Sequence, residues 1–408
     1  MFFHITIQYS AAMMLFNKKH NMEYYKIIIT TKIFREKNTI TKKEKTENPR
    51  CTRHNLYPKL FHMSISVKIV QDKESLQHYS REWETLLSDC PSAAPTQSYA
   101  WISAMLSHDI PSDCPWYCLF AFADSRLVGL WMLIFESERK FGPIRIKRFR
   151  NLYSGFHTTH VDALVMKGYE QALVAMYRAL KKHTKAIPIV ASKAIAMEGG
   201  SLSAIQSLGN VFLQYKISSA YHEDVLEITQ SPEQYFSTLK SKFRREIHRQ
   251  ERNMGALGTL RYEIGTTVGV DDPLSVFLDL EHSGWKGREG TSIRAHLNDE
   301  QLFCEAVQDF EKHSMVHWAF LYIGDKAVAG QLGVVVNAVL YLWKVGYRQE
   351  YATMGPGNVL LYRVLEQIHQ TRQYRKVSFM NERSWLSPFQ PTKQQLVDCT
   401  IYRAIPFL

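Results

Sequence analysis

Residues 341–368 read YLWKVGYRQEYATMGPGNVLLYRVLEQI. The first part alternates like a strand, the centre is a polar loop ending in Gly355-Pro356-Gly357-Asn358, and residues 359–370 follow helical spacing. Leu360, Leu361, Val364, Leu365 and Ile368 share one face of that helix. A further strand is expected over 376–380, so strand, crossover helix and strand make a βαβ unit with parallel strands. The loop then joins the carboxyl end of a strand to the amino end of a helix. Amides at a helix start lack intrahelical partners, and the helix dipole adds partial positive charge there. Glycine lets a diphosphate approach the backbone, and proline fixes the turn. The turn suits a pyrophosphate; it equally suits a plain strand–helix connection. No GxxxxGK[ST] occurs, which excludes a nucleoside-triphosphate P-loop.

Outward from this stretch, residues 334–336 and 338–343 read as a hairpin turning at Asn337, a residue that tolerates left-handed angles. Phe320, Tyr322, Asp325, Lys326, Val328 and Ala329 match Phe120, Phe122, Ser125, Arg126, Val128 and Gly129 at an offset of 200 residues. Each set forms an apolar strand, a polar turn and the start of a second strand. Helices precede both copies and a strand–helix unit follows both, which points to a tandem duplication with a boundary near residues 215–223. The first half is expected to contain a strand over 65–70 and a helix over 73–87 with Trp83, Leu86 and Leu87 inward. A second helix from Gln97 to Leu106, a hairpin over 116–123 and 127–135, and a helix near 169–183 follow.

The net charge of +11 is concentrated at the start of the chain. Residues 1–62 carry 12 Lys/Arg against 4 Asp/Glu, which leaves the remainder at +3. That removes the electrostatic argument for a nucleic-acid protein, and no DNA partner is expected. The leader lacks a sustained helical stripe and is read as disordered or non-native, with the functional protein beginning at Met63. Six cysteines in 408 residues suggest a reducing compartment. Cys114 and Cys118 stand too far apart for a CxxC pair and are read as apolar thiols. No later segment reaches the ~20 apolar residues of a membrane span, so a cytoplasmic location is expected. There is no HExxH, GxSxG or metal-ligand cluster, and no metal is expected.

The quoted segment resembles the cofactor segment of the CelD-like (cellulose-biosynthesis-type) acetyltransferases of the GNAT superfamily. In that family a strand runs into Gly-Tyr, a second Tyr, and Ser/Met-Pro-Gly before a leucine-rich helix. PTQSYAWISAM (residues 95–105), SKFRREIHRQERNM (residues 241–254) and Trp285-Lys286 are similar to other stretches of the same family, and the resemblance spans residues 65–408. It also extends to the Fem-type aminoacyltransferases, which use charged tRNA. Near the last strand, family members often carry Asp-Gly and a Tyr-Lys pair. This chain has Asn381 and Trp385 in their place, which puts the acceptor in doubt.

The resemblance implies an α/β (α+β) fold of two tandem GNAT-like halves, each a mixed, mostly antiparallel sheet flanked by helices. Residues 63–220 would form a degenerate half that walls the substrate, and residues 221–408 a half with the acyl-CoA site. The implied reaction is direct attack of an amine or hydroxyl acceptor, a small molecule or a glycan or envelope component, on acetyl-CoA or another acyl-CoA. It needs a base for the acceptor, a proton for the thiolate and donors for the carbonyl oxygen. Met354, Gly355, Gly357, Asn358 and Val359 are the cofactor-binding candidates. Tyr347, Tyr351 and Tyr362 are candidate acids, and Glu281, His282 and Glu382 candidate bases. Trp285, Lys286, Lys344, Asn381 and Trp385 are candidates for holding the acceptor. Arg244-Arg245 would bind an anion or lie on a solvated, charge-alternating helix face. Two other readings stand: a Fem-like aminoacyl-tRNA-dependent transferase and a catalytically silent binding relative.

Overall fold

Two hairpins with the same irregularity set the frame of the computed structural model, which describes residues 64–141, 144–154 and 158–404. The strands are β1 (Ile65–Val70), β2 (Trp116–Ala123), β3 (Arg126–Phe141), β4 (Ile144–Arg150), β5 (Leu164–Val165), β6 (Val190–Ala196) and β7 (Leu213–Glu227). They continue with β8 (Leu260–Gly265), β9 (Val316–Ile323), β10 (Lys326–Val336), β11 (Val339–Tyr347), β12 (Lys376–Ser378) and β13 (Thr392–Arg403). In the β2–β3 ladder Ala121 faces Gly129 and Phe122 faces Leu127, which leaves Val128 as an extra residue. In β9–β10, Leu321 faces Ala329 and Tyr322 faces Ala327, which leaves Val328 extra. A bulge at the same place in both copies strengthens the case for a repeat, because such insertions are specific backbone features.

All thirteen strands join one sheet in the order β1-β2-β3-β4-β6-β13-β7-β12-β11-β10-β9-β8, with β5 beside β3. Read inward from both ends, this order is symmetric: β1 corresponds to β8, β2 to β9, β3 to β10, β4 to β11 and β6 to β12. The two parallel contacts, β4–β6 and β11–β12, occupy equivalent places. At the centre β7 and β13 pair along their length, and β13 also pairs with β6. The chain's last strand therefore sits within the first half. The expected boundary at residues 215–223 falls inside β7, so the halves meet in a shared ladder with no linker between them. The mixed, mostly antiparallel sheet flanked by helices is the architecture the sequence implied.

The helix Pro356–Thr371 buries Val359, Leu360, Leu361, Val364, Leu365 and Ile368 completely against one sheet face. Each such side chain contributes about 1.5–3 kcal/mol by leaving water. On the other face a single apolar layer runs through both halves. There Trp101, from the helix Tyr99–His108, lies 4.3 Å from Trp343 and 5.5 Å from Phe303. Asn337 and Ala338, both at positive φ, form the β10–β11 turn, and the Asn337 amide donates to the carbonyls of Leu87 and Cys90.

Several expectations need correcting. The helix expected over 73–87 is two helices, Lys73–Gln77 and Ser80–Asp89, because Tyr79 leaves the helical path and stacks on Phe120 at 4.5 Å. The strand expected to end at 135 runs to Phe141, and the strand expected over 376–380 ends at Ser378. The readings of the leader and of a start at Met63 lie outside the described residues.

Candidate functional site

β11 and β12 pair only from Val339–Lys376 to Tyr341–Ser378, and beyond that point they part. The residues after Tyr341 on one side and after Ser378 on the other line a cavity of about 870 Å³. In the first half a side chain bridges the corresponding place. Asn151, which is 1% exposed, follows β4; its amide donates to the carbonyls of Val161 and Lys193 and accepts from the Lys193 N–H.

A bulge shapes the wall of that cleft. Opposite Leu332 stands Lys344 and opposite Gly333 stands Leu342, so Trp343 is the extra residue. Both Trp343 and Lys344 approach Phe303: the indole centroid lies 5.8 Å from its ring, and the ammonium lies 5.5 Å from it. Burial, with Lys286 and Arg383 nearby, pushes the Lys344 amine down to about 7, against the opposing pull of Glu281 and Asp299.

At the outer end of β11 the chain turns through Gly355, whose φ is +60°. The Gly355 N–H donates to the Ala352 carbonyl, and those of Asn358 and Val359 turn back to the Gly355 carbonyl. Pro356 has no N–H, so Gly357 carries the open amide of the turn. Tyr347 stands beside it, its ring 3.7 Å from where a Cβ on Gly357 would lie.

The cavity wall brings together most of the residues singled out in the sequence: Glu281, Trp285, Lys286, Lys344, Tyr347, Gly355, Gly357, Asn358, Asn381, Glu382 and Trp385. Met354, Tyr351 and Val359 lie outside it. Val359 is buried on the inward face of its helix, and Met354 and Tyr351 pack against the same core. Tyr362 packs against Phe236 in that core with ring centroids 4.3 Å apart, and His282 Nδ1 meets the Ser292 hydroxyl at 2.9 Å. Glu281 is 2% exposed and accepts from Lys286 Nζ (3.0 Å) and the Ile293 N–H (2.8 Å). Glu382 pairs with Lys393 at 2.9 Å on the rim. On the helix Ser241–Gly255, Arg249 pairs with Glu246, and Glu251 forms a forked pair with Arg363.

The sequence did not reveal how the first half enters the wall. Tyr153, Thr158, Thr159, Ala194 and Tyr221 line the far side. Burial raises both tyrosine hydroxyls above their ordinary range, with Asp398 adding to the effect, and the Tyr221 hydroxyl donates to the Asp398 carboxylate (3.1 Å). Ala194 and Met380 hold positive φ at the wall and His160 holds it just behind, a backbone choice that costs energy in non-glycine residues. The loop after β12 is fixed by buried Asp224. Its carboxylate accepts the Arg383 N–H (2.8 Å) and pairs with Lys393, while its backbone bonds Asn381 and Phe379. Asp224→Ala is expected to lower stability by about 1–3 kcal/mol, read by urea unfolding, because the Arg383 N–H and Lys393 lose the buried carboxylate that fixes the loop.

A model of the acetyltransferase (GNAT) domain matches residues 241–384, the stretch that contains the open cleft. No curated protein matches the chain. The solved structure of FemX is similar with a TM-score of 0.54 at 10% identity, over 83% of this chain and 97% of that one. L-PGS from Bacillus licheniformis (TM-score 0.46, 13% identity, 79% of this chain and 91% of that one) is also similar. So is a tandem GNAT protein from the clavulanic acid biosynthesis pathway (TM-score 0.40, 11% identity, 84% of this chain and 100% of that one). At 10% identity the likeness to FemX is one of fold. The chain thus has a tandem GNAT-like fold, with the GNAT domain match in its second half. Among the described residues no helix is long and apolar enough to cross a membrane, and no group of His, Cys, Asp and Glu is arranged to hold a metal.

Proposed function

We propose that the chain transfers an acyl group from an acyl-CoA to an amine or hydroxyl of a small-molecule or glycan acceptor. The observation that carries this reading is the cleft between β11 and β12, open in the second half and ending at the Gly357 amide, which has no backbone acceptor among the described residues. In this reading the diphosphate lies at the turn, and the pantetheine arm runs back along the free edge of β11. The thioester then comes to the bulge at Trp343-Lys344. The acceptor enters from the first-half wall, where Tyr153 and Thr159 offer hydroxyls, and the half-exposed Trp285 and Trp385 offer flat apolar faces.

The acceptor attacks the thioester carbon while the Lys344 amine takes its proton. The carbon–sulfur bond breaks, and the Lys344 ammonium returns that proton to the departing thiolate. Glu281 is already neutralised by Lys286, so its role here is to hold Lys286 and the Ile293 backbone in place. Tyr347 and the cofactor candidates Gly355, Gly357 and Asn358 surround the phosphates at the other end. The acyl-CoA reading is tested by calorimetry of the full chain with coenzyme A, acetyl-CoA and a longer acyl-CoA. Micromolar binding is expected. Failure of every thioester, together with salt-dependent binding of aminoacyl-tRNA, would replace it with the Fem-like reading.

A further inference from the structure

β10 is apolar and almost wholly buried from Ala327 to Val336, yet at its middle stands Gln331, which is 1% exposed. Its side-chain oxygen has no hydrogen-bond partner. A buried acceptor left unsatisfied is costly, so such an atom in a folded protein calls for an explanation. Most other buried polar atoms without partners, such as the nitrogens of His317 and Trp131, belong to residues away from the cavity. Two belong to its wall: Thr159 Oγ1 and Gln331 Oε1. Thr159 is only partly buried, whereas Gln331 is enclosed.

Gln331 also has a defined place along the cleft. In the β10–β11 ladder it faces Val345, two residues inward from Tyr347 and one outward from Lys344, which borders the bulge at Trp343. Tyr347 stands beside the phosphate turn, so Val345 is about 7 Å down the strand from it at the usual rise per residue. A chain laid from the turn toward the bulge passes Gln331 before it reaches Lys344. The pantetheine arm of coenzyme A carries two amide N–H groups, which are the donors that an unpaired amide carbonyl lacks.

Resting on the acyl-CoA reading above, we propose that Gln331 Oε1 accepts a hydrogen bond from an amide N–H of the donor's pantetheine arm and so fixes the arm's depth in the cleft. The adenosine 3′,5′-bisphosphate portion lies at the turn and does not touch this residue.

The test uses the full chain and its Gln331→Leu variant, titrated calorimetrically with coenzyme A and with adenosine 3′,5′-bisphosphate. Coenzyme A is expected to bind about tenfold more weakly to the variant, because one buried hydrogen bond is lost and an amide N–H of the ligand is left unpaired. Adenosine 3′,5′-bisphosphate should bind both proteins equally. The unliganded variant should melt no lower than the wild type, since the orphaned acceptor is gone. If Gln331→Leu does not fold, Gln331→Met, which keeps the side chain's length, is measured in its place. Equal affinity of both proteins for coenzyme A overturns the inference and leaves the donor reading standing. Equal weakening of both ligands overturns it in favour of a structural role. Absence of coenzyme A binding by the wild type overturns the donor reading, and this inference with it.

Discussion

Gly357→Asp should abolish coenzyme A binding while leaving the fold intact, with a loss of at least about a hundredfold, since like charges placed together cost several kcal/mol. The geometry makes this a test of the site and not of the scaffold. A Cβ on Gly357 meets nothing closer than Tyr347 Cδ1 at 3.7 Å, an ordinary contact. Position 357 is also in the first turn of its helix, where a carboxylate stabilises by about 0.3–1 kcal/mol through the helix dipole. The melting temperature should therefore stay level or rise slightly. Gly355 is the contrasting case. It holds φ +60°, and a Cβ there would come within 2.7 Å of the Gln250 side-chain amide. Gly355→Asp would strain the turn itself, so lost binding in that variant would say nothing about charge. The decisive measurement is calorimetry of Gly357→Asp beside its thermal melt. An unchanged affinity in a folded variant would reduce the turn to a plain connection between strand and helix.

Local pattern carried much of this architecture. The β11–helix–β12 unit was readable because its apolar period changes from two to about 3.6 across a glycine-proline turn, and a crossover helix forces parallel strands. The paired hairpins were readable from Phe120, Val128 and their partners 200 residues on, and their shared bulge appears at Val128 and Val328. The position of β13 between β6 and β7 was not readable, since pairing across some 180 residues leaves no local trace in either strand. The boundary expected at residues 215–223 falls inside β7, which pairs with β12 and β13 of the second half. At the site, the turn stood out by residue type, and Trp285-Lys286 by the family resemblance. Asn151, which bridges the corresponding place in the first half, and Asp224, which anchors the loop after β12, look like ordinary surface polar residues in sequence. Their importance comes from backbone groups that folding alone brings within reach. Gln331 carried a faint signal: a lone amide inside an apolar strand is a cost that invites the question of what it bonds.

Lys344→Met should remove one titration from both the stability and the activity of the protein. The folded-state amine lies near 7, against an ordinary value of 10.5. Below pH 7 the lysine is charged in both folded and unfolded chains, and the folded state bears the full cost of enclosing that charge. Between 7 and 10.5 the unfolded chain binds the proton and the folded chain does not, so Lys344 makes stability rise with pH across this window. Above 10.5 the difference is gone. One pKa unit corresponds to about 1.4 kcal/mol, and with solvent reaching a half-buried side chain the rise is on the order of 2–4 kcal/mol. Burial raises the thiols of Cys90, Cys118 and Cys399, which act in the opposite direction at the alkaline end. The quantity to measure is therefore the difference in unfolding free energy between Lys344→Met and wild type from pH 6 to 10. It should favour the variant most at pH 6 and shrink steadily above 7. In parallel, coenzyme A thiol release from acetyl-CoA with a working acceptor should climb through pH 7 in the wild type as the amine becomes free to accept a proton. The variant should be at least about a hundredfold slower, within the range for losing a positioned general base, and should show no inflection there. A wild-type inflection that persists in Lys344→Met would assign the proton transfer to another group, and Glu382 on the rim of the cleft would be the next residue to replace.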